Sequence, residues 1–391
     1  MAYFLNKKRV GFPDPRLSDA DGLLAIGGSF EPEWLLNAYC LGIFPWFDDV
    51  AGNPYWFSPD PRMVLFPTEF RCSKSLQRIL KSHRFEVRID TAFRQVIENC
   101  SSVKRDESCG ESWITGNFIE SYCRLHELGF AHSFETFLEG RLVGGLYGVS
   151  ISDYFCGESM FHIVTDASKV AFARMVEFAL LHNFRFVDAQ MYTPHLASLG
   201  AKEIPRGDFL EMLADQDLKR SYIGKWKTNT VVLLLGGNQG DRVELLMRAL
   251  SAIAKRIGTV SQISPMFETA PWGFESDSKF LNQAVVVDTD LSADEVLGCA
   301  LEIEKELGRC RSDMDGQRYS SRPMDIDLIF YNSAIVETPH LQLPHPRMHL
   351  RRFVLEPLSR ILPDFIHPKL HKTIKQLLLE CDDKGEVEIY F

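Results

Sequence analysis

Apolar positions along this chain change period several times, and each change predicts an element. From Ala131 to His162, "AHSFETFLEGRLVGGLYGVSISDYFCGESMFH", apolar and polar residues alternate in runs broken at Glu139-Gly140. That alternation predicts a β-meander, two strands around the turn and a third ending in "FCGESMF". Residues 166–190, "DASKVAFARMVEFALLHNFRFVDAQ", shift to helical spacing. They predict a helix capped by Asp166 and then a strand with Asp188 and Gln190 on one face. Glu158, Asp188 and Gln190 thus fall near strand ends, where a cleft can use them. In "RCSKSLQRILKSHRFEV", residues 71–87, a helix would turn Leu76, Ile79, Leu80 and His83 inward and gather Arg71, Lys74, Arg78 and Lys81 into one basic stripe.

The later part repeats the exercise with different residues. "VVLLLGGNQGD", Val231 to Asp241, reads as a buried strand entering a glycine turn, followed by the helix "RVELLMRALSAIAKRIG". "ADEVLGCALEIEKELGR", Ala293 to Arg309, is a second amphipathic helix. "RPMDIDLIF", Arg322 to Phe330, alternates as a strand that puts Asp325 and Asp327 on one face and Met324, Ile326 and Leu328 on the other. Between the two parts lies "SYIGKWKTNT", Ser221 to Thr230, a polar and basic stretch that marks a boundary between unrelated halves.

Composition narrows the class. At 391 residues, 45% hydrophobic and 25% charged, the chain has the makeup of a soluble globular protein of two or three domains. No apolar run approaches a membrane span, and "MAYFLNKKRV" lacks the apolar core of a signal peptide, so the expected location is the cytoplasm. The nine cysteines form no C-x-x-C pair, which predicts reduced thiols. A net charge of −10 argues against indiscriminate nucleic-acid binding while leaving room for a local basic patch.

The aspartate pair is the sharpest chemical signal. Two adjacent carboxylates raise each other's pKa unless a cation sits between them, and a hard cation such as Mg²⁺ suits carboxylates completed by water and phosphate oxygens. Solvated aspartates on an exposed strand are the plain alternative. Arg309, Arg311, Arg318 and Arg322 precede the pair in "GRCRSDMDGQRYSSRPMDID", and "LPHPRMHLRRFVLEPL" adds His345, Arg351 and Arg352. Arginine forks match phosphate oxygens, so the combination points to a polyphosphate. The "GGNQGD" turn is neither a Walker A loop nor a dinucleotide fingerprint.

With "GGNQGD", "ETAPWG", "FLNQAV", "GRCR", "RYSSRPMDIDL" and "LPHPRMHLRRFVLEPL" in order, residues 230–383 resemble 6-hydroxymethyl-7,8-dihydropterin pyrophosphokinase, an enzyme of folate biosynthesis. The resemblance implies a ferredoxin-like α/β sandwich that moves a diphosphate from ATP to a pterin alcohol. It implies two Mg²⁺ ions on Asp325 and Asp327, Arg309 and Arg322 on the transferred group, and Arg311, Arg318, His345 and Arg351 on ATP. The pterin would lie by Thr269, Ala270, Trp272, Phe280, Asn282 and Phe353. Two positions depart from the family pattern: Gly237 stands where Ser is common, and Phe280 where some members have Tyr.

The first half is rich in aromatic residues amid prolines, "AYCLGIFPWF" and "YWFSPDPRMVLFP", which suits either a core or a ligand pocket. With "GLLAIGG", "WFSPDPR", "FCGESMF", "DAQ" and "HLASLGA", residues 1–226 resemble leucyl/phenylalanyl-tRNA-protein transferase. The resemblance implies a small N-terminal lobe and a GNAT-like acyltransferase domain, an α+β arrangement. The implied partners are aminoacyl-tRNA carrying Leu or Phe and proteins with N-terminal Arg or Lys. Tyr39, Trp46, Trp113, Tyr122, Leu146, Phe155 and Glu158 would surround the aminoacyl-adenosine end, with Glu158, Asp188 and Gln190 catalytic. In that context Arg71, Lys74, Arg78 and Lys81 become a tRNA contact. The whole chain thus reads as a bifunctional enzyme; the other reading makes one half a non-catalytic binding module.

Overall fold

Prolines and aromatic residues shape the start of the chain in the computed structural model, which describes residues 2–82, 84–103, 112–214, 218, 221–273, 278–309 and 321–390. β1 (Tyr3–Leu5), β2 (Leu23–Gly27), α1 (Pro32–Cys40), β3 (Phe44–Asp48) and β4 (Pro54–Phe57) come first. Their strands form a sheet in the order β1-β2-β4-β3. Pro32 opens α1, where its missing N–H costs no helical bond. Trp34, Tyr39, Phe44 and Trp56 are buried, so much of the aromatic run is core.

The next elements are β5 (Arg62–Leu65), α2 (Lys74–Lys81), β6 (Glu86–Ile89), α3 (Phe93–Ser101), α4 (Gly116–Glu127) and β7 (Ala131–Leu138). After them come β8 (Arg141–Ile151), β9 (Tyr154–His162), α5 (Ala167–Leu181), β10 (Phe186–Gln190), α6 (Pro194–Ser198), β11 (Lys202–Ile204) and α7 (Arg206–Met212). Seven strands make one sheet, β11-β5-β10-β9-β8-β7-β6. The meander forms as its alternation predicts. Glu139 and Gly140 both take positive φ, 50° and 74°, the twist that a two-residue hairpin between right-twisted strands requires. β9 and β10 run parallel and are joined through α5. One face of this sheet carries Phe134, Phe155, Phe178 of α5 and Trp226. The other carries Tyr122, Tyr147 and Tyr154 in the core shared with α1, α3 and α4.

Ser73 caps α2, accepting from Leu76 N–H at 3.2 Å. Leu76 and Ile79 pack toward Val170 and Ala173. Leu80 does not follow the expected inward face: it is 37% exposed, because eight residues of helix bury only a narrow stripe. His83 lies outside the described residues.

In the later part, β12 (Asn229–Gly237), α8 (Arg242–Arg256), β13 (Thr259–Ile263), β14 (Phe267–Thr269), β15 (Phe280–Thr289), α9 (Ala293–Glu306) and β16 (Asp325–Tyr331) are followed by β17 (Val336–Glu337), β18 (Gln342–Leu343), α10 (Arg352–Ile361), α11 (Ile374–Glu380) and β19 (Val387–Ile389). The sheet runs β16-β12-β15-β14-β19, with β13 also on β15, and its pairs are antiparallel. "VVLLL" lacks alternation because both faces are covered. Val231, Leu233 and Leu235 meet α8 and α9, while Val232 and Leu234 meet α10 and α11. Helices therefore lie on both faces of this sheet. β19 pairs with β14 as an edge strand, beyond the residues 230–383 that the resemblance covers. The polar "EVEIY" that forms it carries little strand pattern.

By internal contacts the chain forms two units, Met1–Ala179 with Asn183–Trp226, and Lys227–Phe391 with Leu180–His182. Among the described residues no helix is long and apolar enough to cross a membrane. The described cysteines are free thiols; Cys109 and Cys310 lie outside the described residues.

Gly237 ends β12 directly against the Pro323 carbonyl, and a Cβ there would collide with that oxygen. A serine side chain at this turn has no room. Gly237→Ser is expected to destabilise the second unit by about 1–3 kcal/mol, the usual range for overpacking. Equilibrium urea denaturation followed by circular dichroism measures it, and an unchanged midpoint would show that the Pro323 backbone gives way freely.

Candidate active sites

Glu158 owes its position to an irregularity in β9. Across the β8–β9 pair, Tyr147 faces Ser159 and Gly148 faces Gly157, so Glu158 is the extra, bulged residue. A bulge re-aims a side chain, and this one sends the carboxylate toward α1 and α4. Tyr39 Oη donates to Oε1 at 2.7 Å, Gln190 Nε2 to Oε1 at 2.8 Å and Tyr122 Oη to Oε2 at 3.1 Å. The two tyrosine hydroxyls also lie within hydrogen-bonding reach of each other, so three contacts share their two protons with whichever proton Glu158 carries. Burial nevertheless pushes the Glu158 carboxyl up to about 7, against the pull of its donors and with a smaller push from Asp188.

Asp188 is held by a residue absent from the sequence-based list. Arg62 donates from Nε to Oδ1 at 2.8 Å and from Nη2 to Oδ2 at 2.6 Å, both side chains being almost fully buried. Arg62 Nη1 also donates to the Gly42 carbonyl at 3.1 Å, and Gly42 N–H donates to the Tyr39 carbonyl at 2.9 Å. Phe44 and Phe209 cover the guanidinium at 4.8 and 4.6 Å. One arginine therefore ties the end of α1, which carries Tyr39, to the end of β10, which carries Asp188 and Gln190. The Gln190 N–H donates to Asp188 Oδ1 at 3.0 Å while its φ is +62°, a conformation uncommon for a side-chain-bearing residue. A shift in the β5–β10 register between Asp188 and Gln190 accompanies it, so the two do not simply alternate along one strand face. The Cys156 thiol donates to Asp188 Oδ2 at 3.3 Å, and burial first and then the two carboxylates keep it protonated.

Five of the expected residues, Tyr39, Tyr122, Glu158, Asp188 and Gln190, thus form one network. Trp113 meets it through Phe118, which it contacts edge-on at 5.4 Å and which stacks on Tyr122. Trp46 packs on Phe57 in the four-stranded sheet. Leu146 and Phe155 do not join the network. Phe155 packs with Phe134 and Trp226, and Leu146 pairs with Phe134 across the strands, so both side chains take the α5 face. Lys74, Arg78 and Lys81 are exposed on α2 with no ion pair among the described residues, while exposed Arg71 lies before the helix. Arg62 and Cys156 were missed, although an arginine opening the apolar strand "RMVLF" is the same oddity as the aspartate pair.

The second unit has a cleft between the β14–β15 end of its sheet and β16. Thr269, Ala270, Trp272, Phe280, Asn282 and Phe353 line it together with Arg322, Asp325, Asp327 and Arg351. Asn282 Nδ2 donates to Thr269 Oγ1 at 2.8 Å, and its Oδ1 would stand 2.6 Å from any Cβ at Gly236, which is why a glycine lies beneath it. Arg351 lies over Trp272 at 4.6 Å and over Phe353 at 5.6 Å. Asp325 takes ion pairs from Arg309 and from Arg322, the latter at 2.5 Å. Arg309 also pairs with Glu304 at 2.6 Å, and Glu304 accepts the Ile326 N–H. Asn238, in the glycine turn, donates its N–H to the Arg322 carbonyl and accepts the Arg322 N–H at 2.9 Å, a backbone anchor that turn composition alone did not reveal.

Burial, and then Asp325, push the Asp327 carboxyl up to about 7, with Arg322 and Arg351 opposing. Burial and the charges of Arg351 and Arg347 hold His345 down to about 4, so it is neutral before any anion arrives. Two oxygen-only side chains on one strand face, one of them short of positive charge, fit a hard cation that takes its remaining ligands from phosphate and water. Arg352 is turned away from the cleft into a pair with Glu356 at 2.9 Å. Arg311 and Arg318 lie outside the described residues.

These two geometries can be set beside known proteins. Residues 28–60 and 64–214 match the family models of the leucyl/phenylalanyl-tRNA protein transferase N-terminal domain and of the leucyl/phenylalanyl-tRNA protein transferase. A leucyl/phenylalanyl-tRNA-protein transferase of Desulfatibacillum aliphaticivorans is 49% identical over 227 residues, 58% of this chain and 96% of that one. The chain belongs to the leucyl/phenylalanyl-tRNA-protein transferase family. Transferases of Dechloromonas aromatica, 52% identical over 54% of this chain and 89% of theirs, and Legionella pneumophila strain Lens, 48% over 59% and 100%, agree. Beyond the transferase part, residues 232–363 match the model of 7,8-dihydro-6-hydroxymethylpterin-pyrophosphokinase, so the chain joins a transferase to a pyrophosphokinase domain. Among solved structures, a triple mutant of Plasmodium falciparum HPPK-DHPS is 19% identical with a TM-score of 0.33, covering 39% of this chain and 43% of that one. The chain spans less than half the length of that protein.

Two predictions follow from the transferase network. Glu158 and Glu135 both have carboxyls raised from 4.5 to about 7, burial being the main cause for each. Between those values the folded chain holds protons that the unfolded chain has released, so these groups' contribution to stability falls as pH rises through the window and is flat above about 7. Glu158→Gln should remove about half of that slope, read as urea unfolding free energies from about pH 5 to about pH 7.5. The second concerns the buried pair: Arg62→Met should cost about 3–5 kcal/mol by stranding Asp188, and Arg62→Met with Asp188→Leu should recover most of it. Equal losses in the single and double variants would show that the pair is not what destabilises.

Proposed function

We propose that this chain is a bifunctional enzyme of the cytoplasm. Its first domain, residues 1–226, transfers Leu or Phe from aminoacyl-tRNA to proteins whose N-terminal residue is Arg or Lys. Its second, residues 230 onward through β19, transfers diphosphate from ATP to 6-hydroxymethyl-7,8-dihydropterin. The observation that carries the first activity is the convergence of Tyr39, Tyr122 and Gln190 on one buried carboxylate, Glu158, within a family whose members are named for this transfer. For the second it is the cleft that joins an aromatic wall to Asp325, Asp327, Arg322 and Arg351. In fold terms we read the seven-strand sheet with its parallel β9-α5-β10 step as GNAT-like, and the antiparallel sheet with α8 and α9 as ferredoxin-like with an added helical layer.

In the transferase the uncharged α-amine of the acceptor attacks the ester carbon. An amide bond forms, the ester C–O bond breaks, and the amine's proton passes to the departing ribose hydroxyl. An aminoacyl ester is already activated, so placement supplies much of the rate and no covalent enzyme intermediate is needed. Glu158, fixed by Tyr39, Tyr122, Gln190 and the Cys156 thiol, attracts the cationic acceptor, and the Gln190 side chain orients the reacting groups. Asp188 is committed to Arg62 and positions Gln190 through the backbone N–H rather than meeting the incoming Arg or Lys. Lys74, Arg78 and Lys81, with Arg71 beside them, offer unpaired charge to tRNA phosphates.

In the pyrophosphokinase the pterin stacks against Phe280 and Phe353 and is read by Asn282 through its amide. Its hydroxyl attacks the β-phosphorus: the new P–O bond forms, the bond from that phosphorus to the oxygen bridging to the α-phosphate breaks, AMP departs with that oxygen, and the hydroxyl proton is released to water. Arg309 and Arg322 neutralise the diphosphoryl group, and His345, Arg351, Arg311 and Arg318 hold ATP. Asp325 and Asp327 would hold two Mg²⁺ ions with ATP; when bound, the metal neutralises phosphate charge and orients the oxygens. Binding an anion beside Arg351 would raise His345 from its low value.

Purified protein should form AMP from ATP, Mg²⁺ and the pterin alcohol, and should tag an Arg-initiated peptide from charged tRNA. Asp325→Ala is expected to lower AMP formation by at least about 100-fold and leave tagging unchanged, and Gln190→Ala to lower tagging by at least about tenfold and leave AMP formation unchanged. Loss of both activities in either variant refutes two independent sites.

A further inference from the structure

β14 is only three residues long, yet it carries one wall of the cleft: Thr269 ends it, and Ala270 and Trp272 follow at once. So short a strand depends on its neighbours. β15 holds one side, and β19 holds the other, with Phe267 opposite Ile389 and Thr269 opposite Val387. Just beyond β19 the Tyr390 N–H donates to the Met266 carbonyl at 2.9 Å.

A second set of contacts gathers on Arg242, the first residue of α8. Its Nη1 donates to the Lys279 carbonyl at 2.9 Å and pairs with Glu268 Oε1 at 2.9 Å, and its guanidinium lies 5.6 Å from the centre of the Tyr390 ring. Glu268 precedes Thr269 and Lys279 precedes Phe280. Arg242 therefore grips both strands at the point where they lead into and out of the cleft wall, and Tyr390 covers that grip.

We infer that Tyr390 and Arg242 form a clasp through which the C-terminal strand positions the pterin side of the cleft. Both are positioning residues, since neither lines the cleft. The clasp sits at the β14–β19 edge, whereas Asp325 and Asp327 belong to β16 at the opposite edge, with β12 and β15 between. It acts on the heterocycle and leaves the phosphate side as it is. This inference rests on the pyrophosphokinase reading.

Steady-state kinetics of the full-length protein test it, with Tyr390→Ala, Tyr390→Phe, Arg242→Gln and a deletion of residues 384–391. The KM for the pterin should rise about three- to tenfold in Tyr390→Ala and Arg242→Gln, as loss of a partly exposed ion pair or ring contact allows, and about tenfold or more in the deletion. Tyr390→Phe keeps the ring and should restore it. The KM for ATP and kcat should stay within about twofold throughout. An unchanged pterin KM, or a joint rise of both KM values, overturns the clasp. Should the parent protein form no AMP, the pyrophosphokinase reading fails instead. Pterin fluorescence titration with Mg²⁺ and a non-hydrolysable ATP analogue then judges the clasp by the same contrast in Kd between Tyr390→Ala and Tyr390→Phe, whose absence overturns it.

Discussion

Carboxylates taken out of water set the terms for both units. A buried carboxylate is costly unless donors or cations meet it, and each unit answers in its own way. In the transferase the answer comes from protein groups alone: Asp188 has the full fork of Arg62, and Glu158 has Tyr39, Tyr122, Gln190 and the Cys156 thiol, although burial still leaves its carboxyl near 7. In the pyrophosphokinase domain it is partial. Asp325 is paired with Arg309 and Arg322, whereas Asp327 is left with a carboxyl near 7. Donors at the carboxylate oxygens meet Asp188 and Glu158, whereas the charges of Arg322 and Arg351 oppose the upward shift of Asp327.

The backbone bends to serve these groups. Glu158 is a bulged residue in an otherwise regular strand, and Gln190 adopts positive φ at a register shift. Such departures have a conformational cost and persist where surrounding contacts over-determine them. Here the surrounding contacts are visible: Arg62 holds Asp188, Asp188 holds the Gln190 N–H, and the Gln190 side chain closes on Glu158. The strained residue is therefore also the one that joins the two carboxylate systems.

Period and turn chemistry made much of the fold legible. β7, β8, β9, α5, β12, α8, α9 and β16 lie where alternation or helical spacing places them, because each buries a wide apolar face. β19 was not legible, since a polar three-residue edge strand leaves almost no pattern. The site was legible where chemistry is local, as in the D-x-D pair on one face of β16. It was not where partners are distant: Arg62 meets Asp188 across 126 residues of sequence, and no spacing rule spans that separation. Leu146 and Phe155 show the remaining limit. The resemblance puts both about the aminoacyl-adenosine end, and strand pairing with the Glu158 bulge turns their side chains to the α5 face of the sheet, a direction that no motif announces.

The difference between the two carboxylate systems matches the two reactions. Acyl transfer from an activated ester develops little net charge, so a rigid network that places an amine suffices and a metal would add nothing it needs. Diphosphate transfer must gather a highly anionic nucleotide beside two aspartates, a meeting that like charges oppose. Arg322 and Arg351 line the same cleft as Asp325 and Asp327, so positive side chains already stand where that negative charge gathers.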